Sequence, residues 1–132
     1  MRTTIKARFA IKNWEEKAFS EGPDLPKLTR ATVSKTLTGG LEGEGHVEYL
    51  MMYRPDGTAT VMGLERVTGR IGDRRGSFVL KRIGEFEGGL AKESYEVVPG
   101  SGTGGLKNIR GGGRSSVGHG MEHPFEMDVE LE

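Results

Sequence analysis

The spacing of glycine and proline restricts this chain more than any other feature of its sequence. Of 132 residues, 22 are glycine and 5 are proline, and after residue 39 the longest runs free of both are 46–54 and 90–98. An average helix needs about 11–12 residues, so these runs leave little room for one. Short strands separated by turns fit the spacing, which therefore predicts an all-β barrel or sandwich.

Bulk composition argues against several functional classes. The 19 Lys and Arg residues balance 19 Asp and Glu residues, so no net field attracts nucleic acid or anionic lipid. Cysteine is absent, which excludes disulfides and thiolate catalysis and is typical of a reducing cytoplasm. No segment approaches the roughly 20 apolar residues of a membrane span, and residues 1–8 contain no apolar signal-peptide core. We expect one domain over residues 1–132, located in the cytoplasm, with neither nucleic acid nor membrane as a partner.

Alternation of apolar and polar residues predicts a strand at each end of the chain. Near the N-terminus the apolar face consists of Ile5, Ala7, Phe9 and Ile11. Near the C-terminus it consists of Phe125, Met127, Val129 and Leu131, while Glu126, Asp128, Glu130 and Glu132 point to water. Residues 13–16 resemble a capping box for a short helical turn, although a continued strand fits nearly as well. Residues 27–38 predict a strand whose register stays open, because Gly39-Gly40 allows loops of two or three residues.

Three turn signals between residues 41 and 98 allow strand pairing to be worked out. They lie at 55–57, 72–73 and 88–89, and we interpret them as hairpin loops of three, two and two residues. They place Tyr49 opposite Gly63, Glu65 opposite Leu80, and Arg82 opposite Tyr95. The three registers agree on one interior face: Val47, Tyr49, Met51, Tyr53, Val61, Val67, Phe78, Leu80, Phe86, Tyr95 and Val97. A slip of one residue would invert a whole strand, so this agreement supports all three registers.

The pattern amounts to about seven or eight antiparallel strands. An open sheet of that size would expose two edges, and closure into a barrel removes them. We therefore expect an all-β fold, an eight-stranded antiparallel closed barrel. A barrel of about eight strands is either filled by its side chains or holds one small ligand.

Six short segments follow one another in a recognisable order. They are Leu28-Thr29-Arg30-Ala31, Glu48-Tyr49-Leu50-Met51, Tyr53-Arg54-Pro55-Asp56-Gly57, Gly63-Leu64-Glu65-Arg66-Val67, Gly76-Ser77-Phe78-Val79-Leu80 and Val98-Pro99-Gly100-Ser101-Gly102-Thr103-Gly104. Over nearly its whole length the chain thus resembles a bacterial family catalogued as domain of unknown function 3224. The resemblance implies the allene oxide cyclase type of eight-stranded barrel, shared with plant dirigent proteins. It implies no chemistry, because that family has no agreed activity and the plant cyclases' catalytic residues match no positions here.

Two motifs in the C-terminal third admit a functional and a structural interpretation. Residues 100–105 satisfy G-x-G-x-x-G, but only 106–110 precede the next glycines, which leaves no space for a nucleotide-binding helix. We expect a structural crossing with one short helical turn before a late strand. Residues 119–123 read H-x-x-E-H, yet Gly120 and Pro124 argue against the helix that this metal motif requires. We interpret its histidines as turn residues and expect neither a metal nor a cofactor.

The paired registers place ionisable residues on the otherwise apolar interior face. Arg82 is diagonal to Glu65 across one hairpin, and diagonal neighbours lie about 7–8 Å apart, within reach of long side chains. The predicted ligand-binding set is Tyr49, Tyr53, Glu65, Arg82, Glu93 and Tyr95. One interpretation is a buried, mutually satisfied ion-pair network that stabilises the core. The other is the polar end of an apolar pocket, with Glu65 as acid or base and Arg82 holding an anion.

Two functional hypotheses follow, and neither establishes whether the protein is an enzyme. The first is a small-molecule-binding barrel for an apolar or amphipathic ligand, extending to cofactor-free cyclase or isomerase chemistry by confinement. The alternative is a structural or self-association barrel with a filled core. A void of about 300 Å³ or more, open to solvent, favours the first hypothesis.

The opposite face of the sheet carries a second apolar group. Its members are Leu50, Met52, Met62, Leu64, Val79 and Ile83. Such a patch on the outside of a barrel predicts a homo-oligomer, with a dimer favoured. The alternative is a cover formed by residues 14–26 of the same chain.

Overall fold

The strands of this protein follow the distribution of its turn residues. The computed structural model describes residues 2–118, 120 and 122–131, which form strands and turns but no helix, and therefore no helix able to span a membrane. The strands are β1 (Arg2–Ser20), β2 (Lys27–Gly39), β3 (Glu42–Tyr53), β4 (Ala59–Ile71), β5 (Arg74–Glu87), β6 (Leu90–Val97), β7 (Thr103–Gly104), β8 (Arg110–Val117) and β9 (Glu122–Glu130).

Eight of these strands close into an antiparallel barrel. Each pairs with the next along the chain, β8 follows β6, and β9 returns to β1. The two-residue β7 lies outside this ring and pairs with β5 at Ser77 and Gly76. The predicted eight-stranded antiparallel barrel is confirmed.

The three predicted hairpin registers are also confirmed. The structure pairs Tyr49 with Gly63, Glu65 with Leu80, and Arg82 with Tyr95. The predicted interior face lies inside the barrel, with Met51, Tyr53 and Phe86 only partly buried at one end. Met127 and Val129 of β9 and Leu131 just after it are buried, and the predicted outward position of Glu132 lies outside the described residues.

The N-terminal half resolves the two questions that the sequence left open. Residues 13–16 continue β1, so the helical-turn alternative is wrong; a register shift after Ile11 places Trp14 opposite Val33. At the far end of β2, Gly39 pairs with Ala7 of β1, and Leu37 pairs with Gly43. The resulting register turns five alternate residues of β2 inward: Thr29, Ala31, Val33, Lys35 and Leu37.

The glycine-rich crossing from β6 to β8 contains no helical turn, and that prediction is wrong. Residues 105–108 form a turn with bonds from Leu106 N to Thr103 O (3.0 Å) and from Ile109 N to Leu106 O (3.2 Å). Gly104 has a φ of 59°, a left-handed conformation that interrupts a right-handed helical repeat. The crossing instead buries Leu106 and Ile109 against the core and closes this end of the barrel.

The two ends of the barrel therefore differ. The closed end carries the crossing, the turn at 72–73 and the buried side chains of Leu41 and Leu131. The open end carries the turns at 55–57 and 88–89, together with residues 118 and 120 between β8 and β9.

Candidate functional site

A layer of charged side chains crosses the middle of the barrel. Arg82 Nη1 on β5 donates to Glu65 Oε1 on β4 at 2.6 Å, and Arg82 Nε donates to Glu93 Oε1 on β6 at 3.2 Å. Glu65 and Arg82 are buried, and Glu93 is nearly so. The sequence prediction that Glu65 and Arg82 share one side of the sheet is correct.

Lys35 completes this layer, although sequence reasoning missed it. Its Nζ lies 3.4 Å from Glu65 Oε2 and 4.7 Å from the centroid of the Phe9 ring. The open register of β2 hid it, but one signal was present: Lys35 shares the alternation of Ala31, Val33 and Leu37. Two cations and two carboxylates thus balance in the charged layer, which we define as Lys35, Glu65, Arg82 and Glu93.

The two tyrosines predicted beside the layer contact it in different ways. Tyr49 donates its hydroxyl to Glu93 Oε1 at 2.8 Å. Tyr95 presents its ring to Arg82, whose Cζ lies 4.7 Å from the ring centroid, and donates its hydroxyl to the Glu126 carbonyl at 2.8 Å. That carbonyl lies beyond the three residue pairs that join β8 to β9. The hydrogen bond from Tyr95 therefore ties β9 to the barrel wall where its pairing with β8 has ended.

Glycines opposite the layer make room for its side chains. A Cβ at Gly45 would overlap the Glu65 carboxylate, and one at Gly84 would lie 2.6 Å from Glu93 Cγ. Both are much closer than van der Waals contact. The layer therefore depends on missing side chains in the neighbouring strands as well as on its own residues.

Tyr53 does not join the charged layer. Its hydroxyl donates to Glu16 Oε2 at 2.6 Å, and Glu16 also accepts from Thr29 Oγ1 (2.7 Å) and Trp14 Nε1 (3.1 Å). Burial opposes ionisation of Glu16, but these hydrogen bonds prevail and hold its pKa below the ordinary value. Tyr53 thus belongs to a polar cluster at the open end rather than to the interior network.

A cavity of about 340 Å³ occupies the open half of the barrel, between the charged layer and the open end. We call it the cup. Its residues are Phe9, Ile11, Trp14, Val33, Lys35, Tyr49, Met51, Tyr53, Ala59, Val61, Glu85, Phe86, Ala91, Glu93, Val117, Gly118, Gly120 and His123. Most of them are apolar. Lys35 and Glu93 supply polar groups from the layer, Tyr49 adds its hydroxyl beside it, and Trp14 is 43% exposed.

The closed half, on the other side of the layer, is filled. The void next to the layer there measures about 20 Å³, room for about one water molecule. Buried Leu37, Leu41, Val67, Leu80 and Met127 line it, and Phe78 and Leu106 belong to the same core cluster. Glu65, Arg82 and Tyr95 face this void rather than the cup, so these three predicted ligand-binding residues lie behind the cup floor.

Burial and neighbouring charges set the protonation preferences of the layer. Burial lowers the pKa of Lys35, although attraction to Glu65 opposes the shift. Burial raises the pKa of Tyr49 well above its ordinary range and raises the pKa of Tyr95 to about 12. For Arg82, burial works against the charged form, but the combined attractions to Glu65, Tyr49 and Glu93 outweigh it and raise the pKa. Arg82 is therefore a fixed cation, and Lys35 is the cation that releases its proton more readily.

Comparison with known proteins establishes the family. The family described as Protein of unknown function (DUF3224) matches residues 5–129. The chain belongs to this family. A solved DUF3224-family structure of unknown function from Shewanella oneidensis MR-1 covers 100% of this chain and 98% of its own, with 27% identity and a TM-score of 0.81. No curated protein matches the sequence.

The two remaining motifs of this DUF3224 chain lie away from the cup floor. The G-x-G-x-x-G run belongs to the crossing, where Ser101 Oγ donates to the Val98 carbonyl at 2.6 Å and no helix follows. His119 of the H-x-x-E-H sequence lies outside the described residues. His123 lines the cup, and its Nε2 lies 3.0 Å from the Gly120 carbonyl oxygen.

Proposed function

We propose that this protein is a small-molecule-binding barrel whose ligand occupies the cup. The observation that carries the proposal is the contrast between a 340 Å³ apolar cup and the filled half beyond the charged layer. Ligand pockets are typically about 300–1,000 Å³, largely apolar, with a few convergent polar groups. The cup meets each of these criteria.

The floor of the cup favours an uncharged, amphipathic ligand. Lys35 and Glu93 offer one donor and one acceptor, and the charges of the layer already balance. A ligand carboxylate would add an uncompensated buried charge, which is costly, whereas a hydroxyl or carbonyl would not. We expect an apolar chain or ring against the walls and one neutral polar group at the floor.

The proposal extends to cofactor-free cyclisation or isomerisation by confinement, which rests on the resemblance to the allene oxide cyclase type inferred from the sequence. In that case Glu93, rather than Glu65, is the carboxylate with access to the ligand. Both Glu65 oxygens face buried cations, at 2.6 Å from Arg82 Nη1 and 3.4 Å from Lys35 Nζ. Glu93 lines the cup and is bonded to Tyr49.

Trp14 provides the test, because the sequence contains one tryptophan and that tryptophan lines the cup. We expect its fluorescence to change saturably on titration with 1-octanol, and native mass spectrometry of purified protein to show a retained small molecule. Ala91→Phe fills the cup and should abolish the fluorescence change. Ala18→Phe adds the same ring at an exposed position outside the cup and should preserve it. An unchanged response in Ala91→Phe would contradict the proposal.

A second function, self-association, is favoured by the outer surface. Leu50, Met62 and Ile83 lie side by side on β3, β4 and β5, and with Leu64 they form what we call the outer patch. All four side chains are about half exposed, so residues 14–26 do not cover them. Two ion pairs flank the patch, Arg30–Glu48 on one side and Lys81–Glu96 on the other. A two-fold dimer can bring unlike charges together across such a surface.

A further inference from the structure

Lys35 differs from every other lysine in the chain. It is 5% exposed, whereas the other lysines, for example Lys6 and Lys92, are exposed on the outer surface. A lysine is almost never fully buried without a specific reason. Pairing with Glu65 accounts for its charge, but an apolar residue at this position would have filled the core without needing a partner.

The position of Lys35 gives it access to the cup. Its side chain lines both the cup and the small void behind it, between the apolar walls formed by Phe9 and Val33. The polar end of a ligand in the cup would reach this amine, the Glu93 carboxylate and the Tyr49 hydroxyl. An amine nucleophile and groups able to transfer protons thus lie together at the bottom of the cup, beside the charged layer.

The surroundings of Lys35 favour the free amine more than those of a surface lysine do. Glu65 is held more closely by Arg82, at 2.6 Å, than by Lys35, at 3.4 Å. Burial and the positive charge of Arg82 both lower the pKa of Lys35, against the attraction of Glu65. A lysine desolvated in an apolar pocket beside another cation is an activated nucleophile.

We propose that the Lys35 amine forms a reversible imine with an apolar aldehyde or ketone held in the cup. This inference rests on the proposed function, because the carbonyl compound must first occupy the cup. The Nζ electron pair attacks the carbonyl carbon, and the nitrogen releases its two protons one after the other to Glu65. The carbonyl oxygen takes up two protons through Tyr49 and Glu93 and leaves as water, so amine and carbonyl become imine and water. No oxidant or reductant takes part.

Reductive trapping on the unmodified protein tests the imine. The protein is incubated with limiting octanal and sodium cyanoborohydride at about pH 7, digested and mapped by mass spectrometry. A lowered pKa increases the fraction of Lys35 present as free amine, and the cup holds octanal beside it. We therefore expect octyl-Lys35 to accumulate several-fold faster than octyl-Lys92. Labelling of Lys92 without Lys35 would overturn the imine.

Two further arms separate the imine from simple binding. 1-Octanol has no carbonyl and can only compete with octanal for the cup, so it should slow the labelling of Lys35 and leave that of Lys92 unchanged. Equal rates of Lys35 labelling with and without octanol would overturn the proposal. Lys35→Arg keeps the positive charge but cannot form this imine, so no octyl adduct should appear at residue 35, while octyl-Lys92 should form at its unaltered rate. Octanol binding without labelling at Lys35 would refute the imine alone. The absence of both octanol binding and labelling at Lys35 would refute both proposals.

Discussion

The closed and open halves of this barrel come from the same strands yet have opposite interiors. In the closed half, Val67, Phe78, Leu80 and Met127 meet at the axis, and Leu106 from the crossing completes the packing. In the open half, small residues such as Ala59, Val61 and Ala91 lie among larger ones around a cavity of about 340 Å³. Alternation decides which side chains face inward; their volume and the presence of a covering segment decide whether that interior is full.

The largest expected effect is a difference between the two halves in how much a core substitution lowers the free energy of unfolding. Phe78→Ala removes a fully buried ring from the closed half and should lower the free energy of unfolding by about 3–5 kcal/mol. Val61→Ala removes apolar atoms that already face the cup and should lower it by about 1–2 kcal/mol. Urea denaturation of both variants checks the order. Equal losses would show that the open half is packed like the closed half.

The next effect concerns the charged layer that separates the halves. Glu65→Gln removes the carboxylate shared by Arg82 and Lys35 and leaves excess buried positive charge, at a cost of about 3 kcal/mol. Glu93→Gln, at the cup floor, should cost about 1–2 kcal/mol because solvent in the cup reaches the altered group. Thermal unfolding at constant pH compares them. A smaller loss for Glu65→Gln than for Glu93→Gln would contradict the assigned positions.

A smaller effect tests the wall beside the layer. Tyr95→Phe keeps the ring on Arg82 but leaves the Glu126 carbonyl without its donor, at a cost of about 1–2 kcal/mol. Burial raises the pKa of Tyr95 to about 12, above the value near 10 of an unfolded chain. The corresponding stability is present below about pH 10 and is lost as the pH rises toward 12.

Unfolding measured across this alkaline range should accordingly show a shallower decline for Tyr95→Phe than for the unaltered protein. An identical decline in the two proteins would mean that the Tyr95 hydroxyl is not buried in the wall.

The smallest expected effect on stability lies outside both halves. Leu64→Glu places a charge in the outer patch at a half-exposed position, and the free energy of unfolding should change by no more than about 0.5 kcal/mol. Light scattering at high concentration should then give a dimer mass for the unaltered protein and a single-chain mass for the variant. A single-chain mass for both would remove self-association as a function.

Sequence reasoning succeeded where local chemistry determines geometry. Turns at 55–57, 72–73 and 88–89 have defined loop lengths, and each loop length sets the register of its hairpin. Because side chains alternate strictly along a strand, Glu65 and Arg82 could be placed on one face before their 2.6 Å contact was known. The barrel and its interior face follow from the same reasoning.

The rest depended on features that a local pattern does not specify. Gly39 and Gly40 do not form a tight hairpin, because Gly39 pairs with Ala7 of β1 and Gly40 N donates to the Lys6 carbonyl. These contacts with β1 set the register of β2 and place Lys35 in the interior. The bond from Tyr95 to the Glu126 carbonyl depends on where the pairing of β8 with β9 ends. The cup itself depends on the summed volume of side chains from several strands, which no single segment determines.

The most direct measurement of the contrast between the halves is a two-dimensional amide NMR titration with 1-octanol. We predict saturable shifts concentrated at Val33, Tyr49, Ala59, Val61 and Ala91 around the cup, with those of Leu37, Val67, Phe78 and Leu106 nearly unchanged. Shifts confined to the outer patch, or no saturable shifts at all, would contradict a hollow half that accepts ligand above a filled half that does not.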